Sequence, residues 1–367
     1  MCYGRKKDNK MSKIKGLSLF TGAGGMDVGF EAAGVEIVVA NELVKYAADT
    51  YEANHPNCEL LRGDVNQYYE ELGKYSGAID VVFGGPPCQG FSVAGKMDPN
   101  DERSQLIWSY LKVVEIVQPK AFVMENVKAL GELEKWSEVR QRYLSRVEEM
   151  GYHCHYFILN ASDYGVPQNR ERVFFIGHKD EFQPDSFLAE MDKQKATPLT
   201  LRELFKSLPK AGTDGNPLTC TARITLAATP VMRKSPYAGM LFNGMGRPMN
   251  LDAVSCTLPA SMGGNKTPIV DTQLLEDANA DNWIKNYHDG IVDGTIVPEY
   301  RPAPERLRRL TINEAALIQT FPHDYIFKGT KSAIYTQIGN AVPCRLAECV
   351  ARSVLNLFFQ EGDRKGE

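Results

Sequence analysis

The chain has 367 residues, 43% of them hydrophobic and 24% charged, enough apolar content for a packed core in one large domain or two moderate ones. A formal net charge of -4 and a pI of about 6.0 give no sign of a nucleic-acid partner, although a basic cleft is compatible with an acidic total. The eight cysteines include no C-x-x-C pair, which removes the usual zinc and thioredoxin-type sites and reads as the reduced thiols of a cytoplasmic protein.

The first residues, MCYGRKKDNKMSKIKG, are polar and basic and lack the apolar stretch of a secretory signal. Residues 1–10 are read as a disordered extension, with Met11 as an alternative start. No run of about 18 apolar residues marks a membrane span. IKGLSLF then reads as a buried strand and TGAGGMDVGFEAAG as a glycine turn opening a helix. EIVVANE is a strand, VKYAADTYEANHP a helix, AIDVVFGG a strand, SQLIWSYLKVVEIVQP a helix and AFVMENV a strand. RQRYLSRVEEMGY is a further helix and RVFFIGH a further strand. Strands alternating with helices predict a parallel sheet with helices on its faces. His153 and His155 alternate on a strand and are read as structural, since no other ligand-type residues adjoin them.

The pattern changes near residue 181. Twelve of the 20 prolines fall in residues 181–305, and no long amphipathic period survives there, which predicts an irregular, loop-rich second unit. TINEAALIQTFP returns to helix, with Thr311 as N-cap and Glu314 completing a capping box. A last helix follows QIGNAVP.

The glycine turn after the first strand is of the kind that lets backbone approach a ligand. Gly22, Gly24 and Asp27 break the G-x-G-x-x-G spacing, so a pyrophosphate fits it less well than an uncharged or cationic adenosyl ligand, and S-adenosylmethionine leads over NAD. Glu42, at the end of the second strand, suits a pair of ribose hydroxyls, and Asp64 in RGDV suits an adenine amino group. A glycine-rich turn with surface acids is the alternative. Cys88, in GGPPCQGFS, follows two prolines that fix the backbone at a strand end, where α/β sheets bind ligands. A nucleophile and a buried structural thiol are both open there.

FTGAGGMDVGF, GGPPCQGFS, MENV, QNRERVFFIG, RLTINEAALIQTFP and QIGNAVP occur in that order. The series closely resembles the DNA (cytosine-5) methyltransferases, over most of residues 15–180 and 306–350. The proline-rich middle, where that family keeps a variable target recognition domain, is not covered. The resemblance implies an α/β, Rossmann-like S-adenosylmethionine-dependent methyltransferase fold, with a mixed, mostly parallel sheet and a smaller irregular target recognition domain. Residues 11–190 plus 332–367 form the catalytic and cofactor-binding domain, and residues 191–331 the other.

The implied activity is methyl transfer from S-adenosylmethionine to carbon 5 of a cytosine flipped out of duplex DNA. Cys88 is then the nucleophile that adds at carbon 6. Glu125 contacts N3 and the amino group of the base, and Arg170 belongs at the base beside it. Arg170 and Arg172 are read as facing opposite sides of a strand, which leaves Arg172 a structural or phosphate role. On the cofactor side Phe20 packs on the adenine, and Gly22, Gly24 and Gly25 line the methionine end. Glu42 holds the ribose and Asp64 the adenine edge, with Asn41, Val65 and Pro86 adjoining. Asn340 and Val342 close the pocket from the C-terminal segment, and Asn340 is also read as a helix N-cap.

Residues 90–106 read as a mobile loop over the DNA, with Ser92, Lys96 and Arg103 as candidate contacts and Gln89, just before it, as another. Thr257, Leu258 and Ala260 resemble the family's Thr-Leu-x-Ala signature, with Thr257 near the DNA backbone. Asn265 or Lys266 reads a base edge or a phosphate, or MGGNK is a plain turn. No metal is implied. A monomer is expected, and single short chains of this design resemble bacterial modification enzymes, with or without a separately acting restriction endonuclease. An RNA methyltransferase of the same family, whose Cys-Phe-Thr motif is absent, a catalytically silent DNA-binding member and a cysteine hydrolase are the rival readings.

Overall fold

The computed structural model describes residues 13–87 and 105–359. Cys88, Gln89, Ser92, Lys96 and Arg103 lie outside the described residues, as do residues 1–10 and most of the 90–106 loop. The main sheet has seven strands: β1 (Lys15–Leu19), β2 (Glu36–Glu42), β3 (Glu59–Arg62), β4 (Val81–Gly84), β5 (Ala121–Val127), β6 (His153–Asn160) and β7 (Glu171–His178). Their order across the sheet is β3-β2-β1-β4-β5-β7-β6. β3, β2, β1, β4 and β5 pair in parallel, and β7 runs antiparallel to both β5 and β6. The connections carry α1 (Gly25–Ala32), α2 (Lys45–Asn54), α3 (Tyr69–Leu72), α4 (Leu106–Val117), α5 (Lys128–Glu132) and α6 (Ser137–Glu149).

The central strands β1, β4, β5 and β7 are apolar on both faces because both faces are covered, while the edge strands β3 and β6 are partly exposed. Alternate residues feed two cores. Val81, Phe83, Val123, Phe174 and Ile176 meet α1 and the C-terminal helix on one side, where Phe30 stacks on Phe83 at 3.8 Å. Val82, Phe122, Met124, Val173 and Phe175 meet α4 and α6 on the other. This two-residue alternation is what a pleated strand imposes.

Beyond the sheet come α7 (Pro184–Asp192), α8 (Leu201–Phe205), α9 (Thr272–Glu276) and α10 (Trp283–Val292), with two small antiparallel ladders. β8 (Leu226–Val231) pairs with β9 (Met240–Phe242), and β10 (Ile269–Asp271) with β11 (Leu307–Arg309). The prediction of irregular structure holds for most of this stretch, but α7 and α10 are exceptions, α7 burying Phe187 and Met191. In α10, Ile284, Tyr287 and His288 are buried in a local core with Leu226, Phe242, Ile269 and Leu307. α11 (Ile312–Ile318) starts with the expected capping box of Thr311 and Glu314. α12 (Lys331–Asn340) and α13 (Cys344–Phe358) are the last of the described elements. QIGN is thus the end of α12, a helix the sequence reading did not assign, and Pro343, not Asn340, occupies the N-cap of α13.

Candidate active site

Strand register brings the motifs to one edge. Leu19 lies opposite Asn41 and Gly84, Gly84 opposite Met124, and Glu42 opposite Arg62. The glycine turn, Glu42, Asp64, the Pro86 turn and Glu125 therefore all sit at the carboxyl ends of parallel strands, the crevice where open α/β sheets bind ligands.

The glycine turn leaves β1 through left-handed backbone, with φ of 55° at Phe20, 56° at Gly22 and 80° at Gly24. Glu42 orients it. One carboxylate oxygen accepts the Gly22 N–H at 2.7 Å and the other the Val44 N–H at 2.7 Å. Burial raises the Glu42 carboxyl above its usual range, against the pull of those backbone donors. Asn41 is buried and donates to the Leu61 and Gly63 carbonyls at 2.9 and 3.0 Å, so it braces the turn after β3. Asp64 caps a short turn through the Asn66 N–H at 3.0 Å, with Val65 buried behind it.

Gly25 seats the C-terminal segment. A Cβ there would lie 2.5 Å from the Val342 carbonyl oxygen. Val342 is buried and Asn340 exposed. Leu43, absent from the sequence reading, is 65% exposed directly beside Glu42. A carboxylate flanked by an exposed apolar side chain, and an open Cβ direction at Gly22, suit a sugar and a flat ring. These residues fit an adenosyl group.

Across the crevice, Glu125 is 9% exposed at the base of the turn that leads to Cys88. Gly85 makes room for it, since a Cβ there would lie 2.8 Å from Glu125 Oε2. The next residue, Asn126, donates to the Pro86 carbonyl at 3.2 Å and accepts the Val127 N–H at 2.9 Å. Asn126 thus ties β5 to the proline turn, a role the sequence reading did not assign. Burial pushes the Glu125 carboxyl up, while the charges of Arg172 and Arg170 and an Arg172 hydrogen bond hold it back.

The arginines are arranged differently from expectation. Arg172 Nε lies 3.0 Å from Glu125 Oε1. Glu125 pairs with Phe174 and Val127 with Arg172, so the ion pair is a diagonal contact on one sheet face. Residues two apart on a strand share a face. The two arginines diverge because Arg170 precedes β7. Arg170 is 1% exposed, and its guanidinium donates to the carbonyls of Leu258, Gly339 and Asn340 at 3.4, 3.0 and 3.3 Å. It joins the Thr257–Ala260 segment to the end of α12.

A second buried bridge runs beside it. Gln168 accepts the Leu258 N–H at 2.9 Å and donates to Gln319 at 2.8 Å, and Gln319 donates to the Ile338 carbonyl at 2.6 Å. Thr257 is exposed and donates to the Asn169 carbonyl at 2.8 Å. Asn265 and Lys266 are exposed on a turn whose Asn265 carbonyl accepts the Gly246 N–H at 3.0 Å. Among the described residues no group of three or more His, Cys, Asp or Glu side chains could hold a metal ion, and no helix is long and apolar enough to cross a membrane.

The strand order with its reversed β7 is the Rossmann-like arrangement of S-adenosylmethionine-dependent methyltransferases. Residues 14–356 match the C-5 cytosine-specific DNA methylase family, and the chain belongs to it. Type II methyltransferase M1.HphI of Haemophilus parahaemolyticus is 31% identical over 94% of this chain and 87% of its own length. Type II methyltransferase M.MthTI of Methanothermobacter thermautotrophicus is 34% identical over 92% of this chain and 96% of its own. The Dnmt2 methyltransferase of S. pombe superimposes with a TM-score of 0.65 at 18% identity, over 95% of this chain and 100% of its own, a likeness of fold. The protein is a DNA (cytosine-5) methyltransferase.

Proposed function

We propose that S-adenosylmethionine is the methyl donor and that a cytosine flipped from duplex DNA reacts between the Pro86 turn and Glu125. The observation that carries this is the convergence, at one sheet edge, of the Glu42-held glycine turn and the Glu125–Arg172 pair. Phe20, Leu43 and Asp64 form the adenine side, Glu42 takes the ribose, and Gly22, Gly24, Gly25, Asn340 and Val342 surround the methionine end. S-adenosylmethionine supplies an electrophilic methyl group. Cys88, at the end of the turn braced by Asn126, adds as a thiolate to carbon 6, which makes carbon 5 nucleophilic. Burial favours the protonated form of Glu125, which donates toward N3, and Arg172 orients the carboxyl. After methylation a base removes the carbon-5 proton, the carbon 5–carbon 6 double bond re-forms and Cys88 leaves.

Residues 191–331 act as the target recognition domain, with Thr257, Asn265 and Lys266 near the DNA and Gln89, Ser92, Lys96 and Arg103 approaching from the loop after Cys88. Arg170 ties Leu258 to the end of α12. The enzyme works as a cytoplasmic monomer on duplex DNA. The bacterial and archaeal Type II relatives favour a restriction-modification setting, with a cognate endonuclease acting separately or an orphan methylase as its variant.

The test is trapping on DNA containing 5-fluorocytosine with S-adenosylmethionine, because fluorine at carbon 5 blocks the final elimination. A denaturation-resistant adduct with the wild type and none with Cys88→Ala supports the whole scheme. Adduct formation by Cys88→Ala removes Cys88 as the nucleophile.

A further inference from the structure

A buried polar cluster behind the glycine turn has no part in the chemistry above. At its centre is His55, 4% exposed at the C-terminal cap of α2, its ring stacked on Tyr51 at 4.4 Å. His55 Nδ1 lies 3.1 Å from Glu31 Oε1, and Nε2 lies 3.3 Å from Tyr325 Oη. Tyr325 Oη also donates to the Ala23 carbonyl, inside the glycine turn.

Proton counting fixes the state of the ring. A hydroxyl has one proton and a carbonyl can only accept. Tyr325 spends its proton on Ala23, so the proton between Tyr325 and His55 belongs to Nε2. Nδ1 faces a carboxylate and carries a proton as well. Only the imidazolium donates from both nitrogens.

The surroundings agree. Asp27 and Glu31 face the ring from α1, Tyr51 from α2, Cys58 from the turn after α2 and Tyr325 from the segment after α11. Cys344 of α13 adjoins Asp27 and Tyr325, and Lys13 and Glu36 share the surface cavity onto which Glu31 and His55 open. Burial works against a charge on His55, but the Glu31 hydrogen bond and the Asp27 and Glu31 charges outweigh it and hold the ring above the usual histidine range. The cluster touches the turn itself, because a Cβ on Gly24 would lie 2.7 Å from Tyr325 Oη and 2.8 Å from His55 Nε2.

We propose that His55 is a proton-controlled positioning residue for methyl-donor binding: its imidazolium lets Tyr325 hold the Ala23 carbonyl, and its neutral form competes for that same hydroxyl. When the ring loses a proton to solvent through the Glu31 cavity, the Nδ1–H tautomer survives, since the other would set a lone pair against the Glu31 carboxylate. Nε2 becomes an acceptor. The single Tyr325 proton is then contested between Nε2 and the Ala23 carbonyl, and the turn that presents Gly22 and Gly24 loosens. The inference rests on the donor site described under Proposed function.

The test uses the full-length protein and two readouts. Imidazole 15N NMR across about pH 6 to 9 reports the protonation and tautomer of His55 without any ligand. Calorimetric binding of S-adenosylhomocysteine over the same range reports the turn. The expected result is a fall in affinity of roughly five- to tenfold, the worth of about one hydrogen bond, tracking the loss of the His55 proton and leaving the Nδ1–H tautomer. Tyr325→Phe is expected to bind as weakly as the wild type at high pH, with no such pH dependence. A His55 that is neutral throughout, or an affinity that ignores its titration, overturns the proposal using the wild type alone. Failure of the donor site itself has a different signature: Glu42→Ala would then bind S-adenosylhomocysteine as the wild type does, while the NMR titration still reports His55.

Discussion

Arg172 holds Glu125, with Nε 3.0 Å from Oε1 and both side chains mostly buried, while Arg170, whose charge also reaches Glu125, donates to three backbone carbonyls. The two arginines should therefore fail in different ways. Arg172→Ala leaves the Glu125 carboxyl buried without its ion pair, and turnover is expected to drop by roughly a hundredfold or more, within the range of general acid–base effects. Arg170→Ala orphans buried carbonyls at about 1–3 kcal/mol each, a loss of stability first. Single-turnover methylation and urea unfolding of both variants separate these outcomes. Near wild-type turnover in Arg172→Ala would deny the pair a role in catalysis.

Asn126 offers a finer probe of the same corner. Its bond to the Pro86 carbonyl is the described tie between β5 and the turn that carries Cys88. Asn126→Ala should cost about 1 kcal/mol of stability. It should lower turnover much more than that loss implies, because small misplacements of a nucleophile are expensive. Donor affinity, measured by calorimetry, is expected to stay at the wild-type level. A variant with normal turnover would mean that the proline turn keeps its geometry unaided.

The parallel part of the sheet and its site edge were legible because β1, β2, β4 and β5 are apolar runs that end in, or run into, a glycine, proline or acidic signal. Thr311 and Glu314 announced α11 in the same local way. The misreadings share a cause, which is contact between residues far apart in sequence. Arg170 meets Leu258 and Gly339 across 88 and 169 positions, and no local period reveals where its guanidinium goes. His55 meets Tyr325 across 270 positions, so nothing in NHP links it to the glycine turn. α12 hides in the same way. Its burial comes from packing against Leu310, Ala315 and the 258–262 segment, which no local pattern shows.

Glu42 makes two predictions in one residue. Its oxygens already hold the Gly22 and Val44 N–H groups, so the carboxylate builds the turn as well as facing the ribose position. Glu42→Ala is expected to weaken donor binding by ~1.5–3 kcal/mol, or about ten- to a hundredfold. Amide exchange at Gly22 should quicken in the ligand-free protein, since its acceptor is gone. Unchanged exchange together with an unchanged dissociation constant would remove Glu42 from both roles.

Gly29 tests how tightly α1 and α13 clamp the glycine turn. A Cβ there would lie 2.5 Å from the Cys344 carbonyl oxygen and 2.5 Å from the Glu348 nitrogen, and both are backbone atoms that cannot rotate away. Gly29→Ala must push the helices apart, at a cost of about 1–3 kcal/mol or more. Gly34→Ala is the control. Nothing lies within 4 Å of its Cβ, so only its φ of 101° opposes the change. Chemical denaturation should rank Gly29→Ala as the more damaging, with reduced donor affinity as well because Gly25 and the Val342 carbonyl move with the helices. Equal losses would mean that the α1–α13 contact yields easily.

Asp27 predicts how stability follows pH. Its carboxyl is fully buried on α1, which pushes its pKa from 3.8 up to about 6 despite His55 and the Ser18 and Tyr51 hydroxyls. Between those values the folded protein keeps a proton that the unfolded chain has lost. Stability from this group is therefore full below about pH 4 and declines as pH rises toward 6. The decline amounts to about 3 kcal/mol at most, at ~1.4 kcal/mol per pH unit. Asp27→Asn keeps an oxygen for the Tyr51 hydroxyl, which donates to Asp27 at 3.0 Å, and removes the titration. Urea unfolding at pH 4, 5, 6 and 7 should show the variant gaining on the wild type at each step up to about pH 6 and by a constant margin above it. Parallel curves from pH 4 onward would mean that the carboxyl is ionised throughout, held so by the His55 imidazolium.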